Sequence, residues 1–102
     1  MKKIVLILVA LSTSALAAEP APMPSMTEVC SQIANTARIT MKARQVGVPM
    51  RQSMEHTTEP MIIDIITEAY GHPAYSTQKY QDKAIQDFED LWYLKCVKAY
   101  NQ

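Results

Sequence analysis

This chain is expected to be an all-α protein, a small bundle of three to four helices whose terminal helices are clamped by one disulfide. Three features lead there. Apolar residues recur three and four apart over long segments, the period of a helix, and nowhere alternate as in a strand. Glycines and prolines fall between those segments or in their first turns. Two cysteines, Cys30 and Cys96, sit on the apolar faces of the first and last segments.

The first helix is placed at residues 26–46. Ser25 and Glu28 stand at N-cap and N3, the spacing of a capping box. Met26, Cys30, Ile33, Ala37, Met41 and Arg44 follow helical spacing, so most of one face is apolar. Gly47 suits the stop because it tolerates the left-handed conformation. A short second helix is placed at 49–57, with Pro49 at a first helical position and Met50 and Met54 on a shared face. The third, 59–70, carries the stripe Met61, Ile62, Ile65, Ile66, Ala69 and Tyr70, with Ile63 as a further apolar position. It is therefore expected to be the most buried helix, ended by Gly71 and Pro73.

The fourth helix is placed at 77–100. Ser76 is positioned to cap it, and Tyr75 and Tyr80 to form a hydrophobic staple. Ala84, Ile85, Phe88, Leu91, Trp92, Cys96 and Ala99 make one face. Asp82, Asp87, Glu89 and Asp90 lie on the polar face, and Lys95 and Lys98 in the last turns suit the helix dipole. A bond from Cys30 to Cys96 would hold the two terminal helices antiparallel, as short connections also favour.

The N-terminal residues predict export. Lys2 and Lys3 precede an apolar run over 4–11, too short to span a bilayer. Ala15-Leu16-Ala17 supplies the small-x-small pattern of a signal-peptidase site, with Ala18 as the neighbouring option. The alternative is an uncleaved anchor. Residues 1–17 are thus read as signal peptide, 18–24 as a flexible leader containing Pro20, Pro22 and Pro24, and 25–102 as the helical domain. The expected location is the periplasm. An oxidising compartment makes pairing of Cys30 with Cys96 the simplest reading; two free thiols or an intermolecular bond are the alternatives.

Cleavage leaves about 84 residues, a domain near the lower limit for a self-sufficient core. It also removes two lysines, leaving eight basic against ten acidic residues. A slightly acidic chain argues against general binding to nucleic acid or to an anionic membrane. No second apolar stretch is long enough to insert in a bilayer.

Residues 43–50, then Ile65, Ile66, Ala69, Tyr70, Pro73, Tyr75, Ser76, Thr77, Gln81, Ala84, Ile85, Asp87, Phe88 and Cys96, form a pattern over most of the mature chain. It resembles small secreted proteins of unassigned function encoded by phages and prophages of Gram-negative bacteria. That resemblance implies a periplasmic setting and a host or phage envelope component as partner. It brings no activity and no site residues.

Motifs for chemistry are sparse. Met50, Met54 and His56 form a local set of soft and imidazole ligands suited to Cu(I), although methionine is also a flexible core filler. His56 and His72 lack metal-ligand spacing and read as exposed loop residues, or as pH sensors. The carboxylates of the fourth helix lie on a solvated face, and no nucleophile elbow surrounds any serine. No enzyme activity and no cofactor are expected. Arg38, Lys42, Arg44 and Arg51 gather in and just after the first helix, a basic spot that could dock an acidic protein surface or a lipid phosphate.

The leading expectation is a non-catalytic periplasmic protein-binding domain, monomer or homodimer. It would inhibit or regulate a host or phage envelope or cell-wall component, as in superinfection exclusion or restraint of a lysozyme-like hydrolase. The alternative is an acid-stress chaperone with one disulfide; a Cu(I)-binding module is third.

Overall fold

The structure, a computed structural model, describes residues 23–102. The expected signal peptide and all of the leader before Met23 lie outside them. Four helices follow in order: α1 (Met26–Gln45), α2 (Met50–Met54), α3 (Pro60–Tyr70) and α4 (Gln78–Tyr100). No strand occurs among the described residues.

Local chemistry sets the helix ends. The Ser25 hydroxyl accepts the N–H of Glu28 at 3.1 Å, forming the N-cap half of the capping box. Gly47 takes φ 91°, the left-handed turn after α1 that any side chain would strain. Three helices start one residue later than expected, because Pro49, Glu59 and Thr77 are extended N-cap residues. Glu59 precedes Pro60, whose ring disfavours a helical conformation in the residue before it. Thr77 replaces Ser76 as the cap, yet the Tyr75 and Tyr80 rings still meet, 6.0 Å apart. The second helix stops at Met54 rather than residue 57, and the Thr57 hydroxyl accepts the N–H of Glu59 at the entry to α3.

Helix α1 is the hub. It packs most extensively on α4 and next on α3, while α2 lies against α3 and α1. Cys30, near the start of α1, is bonded to Cys96, near the end of α4. Gln45, at the end of α1, meets Tyr75, just before α4. The two long helices are therefore antiparallel. Between them and α3 lies a core of Ala37, Met41, Ile65, Ala69 and Phe88, flanked by Ile33, Tyr70, Ala84, Ile85 and Trp92. Ala37 and Ala69 are wholly buried, so these alanines are part of the packed core.

Helix α3 is not the most buried: it buries Ile65, Ile66 and Ala69, whereas α1 buries six residues. Met61, assigned to the α3 stripe, is 44% exposed. It stands in the first turn of a helix too short to lie along the full length of its neighbours. No helix among the described residues is long and apolar enough to cross a membrane.

Candidate functional site

Of the four basic residues singled out from the sequence, Arg44 is turned away from the others. Arg38 and Lys42 are one turn apart on α1, with Arg38 donating to the Asn35 side chain at 2.6 Å. Arg44 is set about 200° round the helix from Lys42. Its Nε donates to the carbonyl of His72 at 2.9 Å, and its guanidinium lies 5.4 Å from the Tyr70 ring centroid. Arg44 thus fastens the α3–α4 connection. Arg51 is exposed on α2, where it lines a concavity with Pro49, Gln52, Glu55 and His56.

Arg44 belongs to a polar fastening that joins the end of α1 to the loop before α4. Gln45, 5% exposed, donates to the carbonyl of Pro73 at 2.8 Å and accepts the N–H of Tyr75 at 2.8 Å. Gln81 then donates to the Tyr75 carbonyl at 2.7 Å. The Tyr70 hydroxyl donates to the carbonyl of Val48 at 2.6 Å and lies 3.0 Å from the Ser53 hydroxyl, tying α2 to α3. Arg44, Gln45, Val48, Tyr70, Pro73, Tyr75 and Gln81 are all residues that carry the resemblance noted above. In this fold they hold loops in place.

The weak metal candidates Met50, Met54 and His56 lie on and just after α2. Among the described residues no three His, Cys, Asp or Glu side chains are close enough to share a metal. His56 is exposed past the end of α2, and neither concavity it lines has a methionine in its wall. His72 packs its ring edge-on to Phe88 at 5.6 Å. Three of the four acids of α4 are engaged along their own helix: Asp82 accepts from Gln78, Asp90 from Gln86, and Asp87 pairs with Lys83 at 2.9 Å. The hydrogen bond and charge of Asp87 hold the exposed Lys83 ammonium above its ordinary value.

The concavity with the most apolar wall lies at the disulfide end. Helix α3, with 11 residues, is about 16 Å long, whereas α4, with 23, is about 34 Å. The first turns of α1 and the last turns of α4 therefore run past α3, and no other described residue is laid across them. A groove of about 260 Å³ results. Val29 and Ile33 form its α1 wall, Met61 its α3 edge, and Trp92, Cys96, Ala99 and Tyr100 its α4 wall.

Lys95 stands at the same groove. Its ammonium lies 4.4 Å from the Trp92 ring centroid and bridges both Glu68 oxygens, at 3.0 and 3.1 Å. The Trp92 Nε1 is buried and meets no hydrogen-bond partner among the described residues. Trp92 also packs on Phe88, ring centroids 6.4 Å apart, so the groove wall is continuous with the core. The helical stripes made Ile33, Met61, Trp92, Cys96 and Ala99 legible in the sequence, but not Val29 or Tyr100. What the stripes alone missed was the groove itself, whose signal was the length mismatch between the short third helix and its neighbours. The chain matches no protein-family model, no curated protein and no solved structure.

Proposed function

We propose that this protein is a non-catalytic binding domain of the periplasm, one that inhibits or regulates a protein of the cell envelope. The observation that carries the reading is the apolar groove at the disulfide end, open among the described residues and walled by Ile33, Met61, Trp92 and Ala99. The walls are fixed by the Cys30–Cys96 bond and by packing onto Phe88, so a partner meets a preorganised surface and spends little ordering it. The groove suits one or two apolar anchor side chains, the usual centre of a protein–protein contact. The resemblance to secreted phage proteins supports the compartment and an envelope partner.

The test compares capture from envelope extract by the wild-type protein and by a Met61→Glu/Ala99→Glu variant that places charge in the groove. A protein retained by the wild type and lost by a folded variant is the expected result. Retention of nothing, or equal retention by both, would sink the reading. Trp92, the single tryptophan of the sequence, gives a direct readout, since a groove partner must change its emission.

A further inference from the structure

The formal net charge of zero hides a segregated surface. From residue 29 to residue 54 the chain has four cations, Arg38, Lys42, Arg44 and Arg51, and no acid. Arg44 is turned to His72 and Tyr70, which leaves three. The two ion pairs among the described residues, Lys83–Asp87 and Lys95–Glu68, engage none of them.

Exposed aliphatic side chains lie among these cations. Ile39 is 54% and Val46 66% exposed. Ile39, Lys42 and Val46 follow i, i+3, i+7 spacing, so they form one ridge on α1, roughly opposite the buried Ala37 and Met41. Helix α2 comes back beside this ridge: Ser53 and His56 share a concavity with Ile39 and Ala43, and Met50, 38% exposed, precedes Arg51. The nearest acids in sequence are Glu28, about 16 Å along the helix from Ile39, and Glu55, one turn after Arg51 and in the same concavity.

We infer that this edge of α1 and α2 rests on an anionic phospholipid surface, with Lys42, Arg38 and Arg51 at the phosphates and Ile39, Val46 and Met50 in the headgroup boundary. Charge complementarity chooses the occupant. The ridge has no aromatic anchor, unlike the centre of a typical protein interface. A flat anionic layer needs only cations around exposed apolar side chains. The contact is peripheral. Each cation near such a surface contributes about a fivefold gain in partitioning, so three give about a hundredfold, weak enough to reverse with salt. This surface is separate from the groove, and one can fail without the other.

The experiment is sedimentation with vesicles of phosphatidylglycerol and phosphatidylcholine, against phosphatidylcholine alone. It uses the oxidised protein from Ala18 onward, which keeps all four helices because the described fold starts after that point. Expected is binding to the anionic vesicles at low salt, release as salt rises, and no binding to the neutral ones. Lys42→Gln/Arg51→Gln should lower partitioning about 25-fold. Ile39→Ser/Val46→Ser should lower it as well, both variants keeping wild-type circular dichroism because the sites are exposed. No binding to anionic vesicles, equal binding to neutral ones, or binding unchanged in both folded variants would overturn the inference. Failure on vesicles alongside groove-dependent protein capture would leave only the protein-binding role.

Discussion

Gln45 accepts the backbone N–H of Tyr75 at 2.8 Å and thereby joins the last turn of α1 to a segment thirty residues further on. The same side chain donates to Pro73, so one amide fixes two points of the α3–α4 connection. An apolar side chain of similar size would leave both backbone groups without a protein partner. Gln45→Leu should therefore destabilise the domain by about 2 kcal/mol, even though it adds apolar volume. For a domain of this size that is about 10 °C in Tm. Thermal unfolding followed by circular dichroism reads it, and a change below about 0.5 kcal/mol would show that water replaces the amide at little cost.

Gln45 also marks where the sequence stops being informative. The helices were legible because caps, prolines and 3.6-residue stripes act within a few residues of one another. Ser25 as N-cap, Gly47, and Phe88 with Trp92 and Cys96 all behave as their spacing predicts. Gln45 sits four residues after Met41, on the buried side of α1, but a polar residue there carries no mark of its distant partner. Arg44 read as a free cation for the same reason: its acceptor is the carbonyl of His72, and backbone acceptors leave no trace in sequence. The groove was half legible. Most of its walls follow from the stripes, whereas its openness follows from how α3 is placed against α1.

The disulfide closes a loop with a sequence separation of 66, and Cys30 is fully buried. The chain-entropy estimate for a loop of that length is about 4 kcal/mol. A domain with a core of this size has little more stability than that to lose. Cys30→Ser/Cys96→Ser should accordingly lower the denaturation midpoint drastically or abolish the cooperative transition. Equilibrium unfolding in urea, oxidised wild type against the double variant, makes the comparison. A loss under about 1 kcal/mol would mean that helix packing alone carries the fold.

Met41 and Met61 stood on equivalent stripes in the sequence, and the structure separates them. Met41 is 1% exposed within the core cluster, whereas Met61 is 44% exposed at the edge of the groove. Truncation removes the same atoms at each site, so the difference isolates burial. Met41→Ala should cost about 2–5 kcal/mol through lost transfer energy and the cavity left behind. Met61→Ala should cost under about 1 kcal/mol. Equal losses would mean that the groove is closed in solution. The urea midpoints of the two variants decide between these outcomes.

Lys95 joins three features of the groove: it pairs with Glu68, lies over Trp92 and stands at the rim. The pair is partly exposed, with side-chain accessibilities of 45% and 31%, and exposed pairs contribute about 0–1 kcal/mol. A cation over an indole adds a comparable amount at an exposed site. Lys95→Gln should thus lower stability by about 1 kcal/mol at most. The indole should respond more clearly than the stability, because a full positive charge 4.4 Å from the ring centroid is removed. A shift in Trp92 emission with a nearly unchanged urea midpoint is the expected pair of results. Unchanged emission would mean that Lys95 does not sit over the ring in solution, and the rim of the groove would then have to be drawn without it.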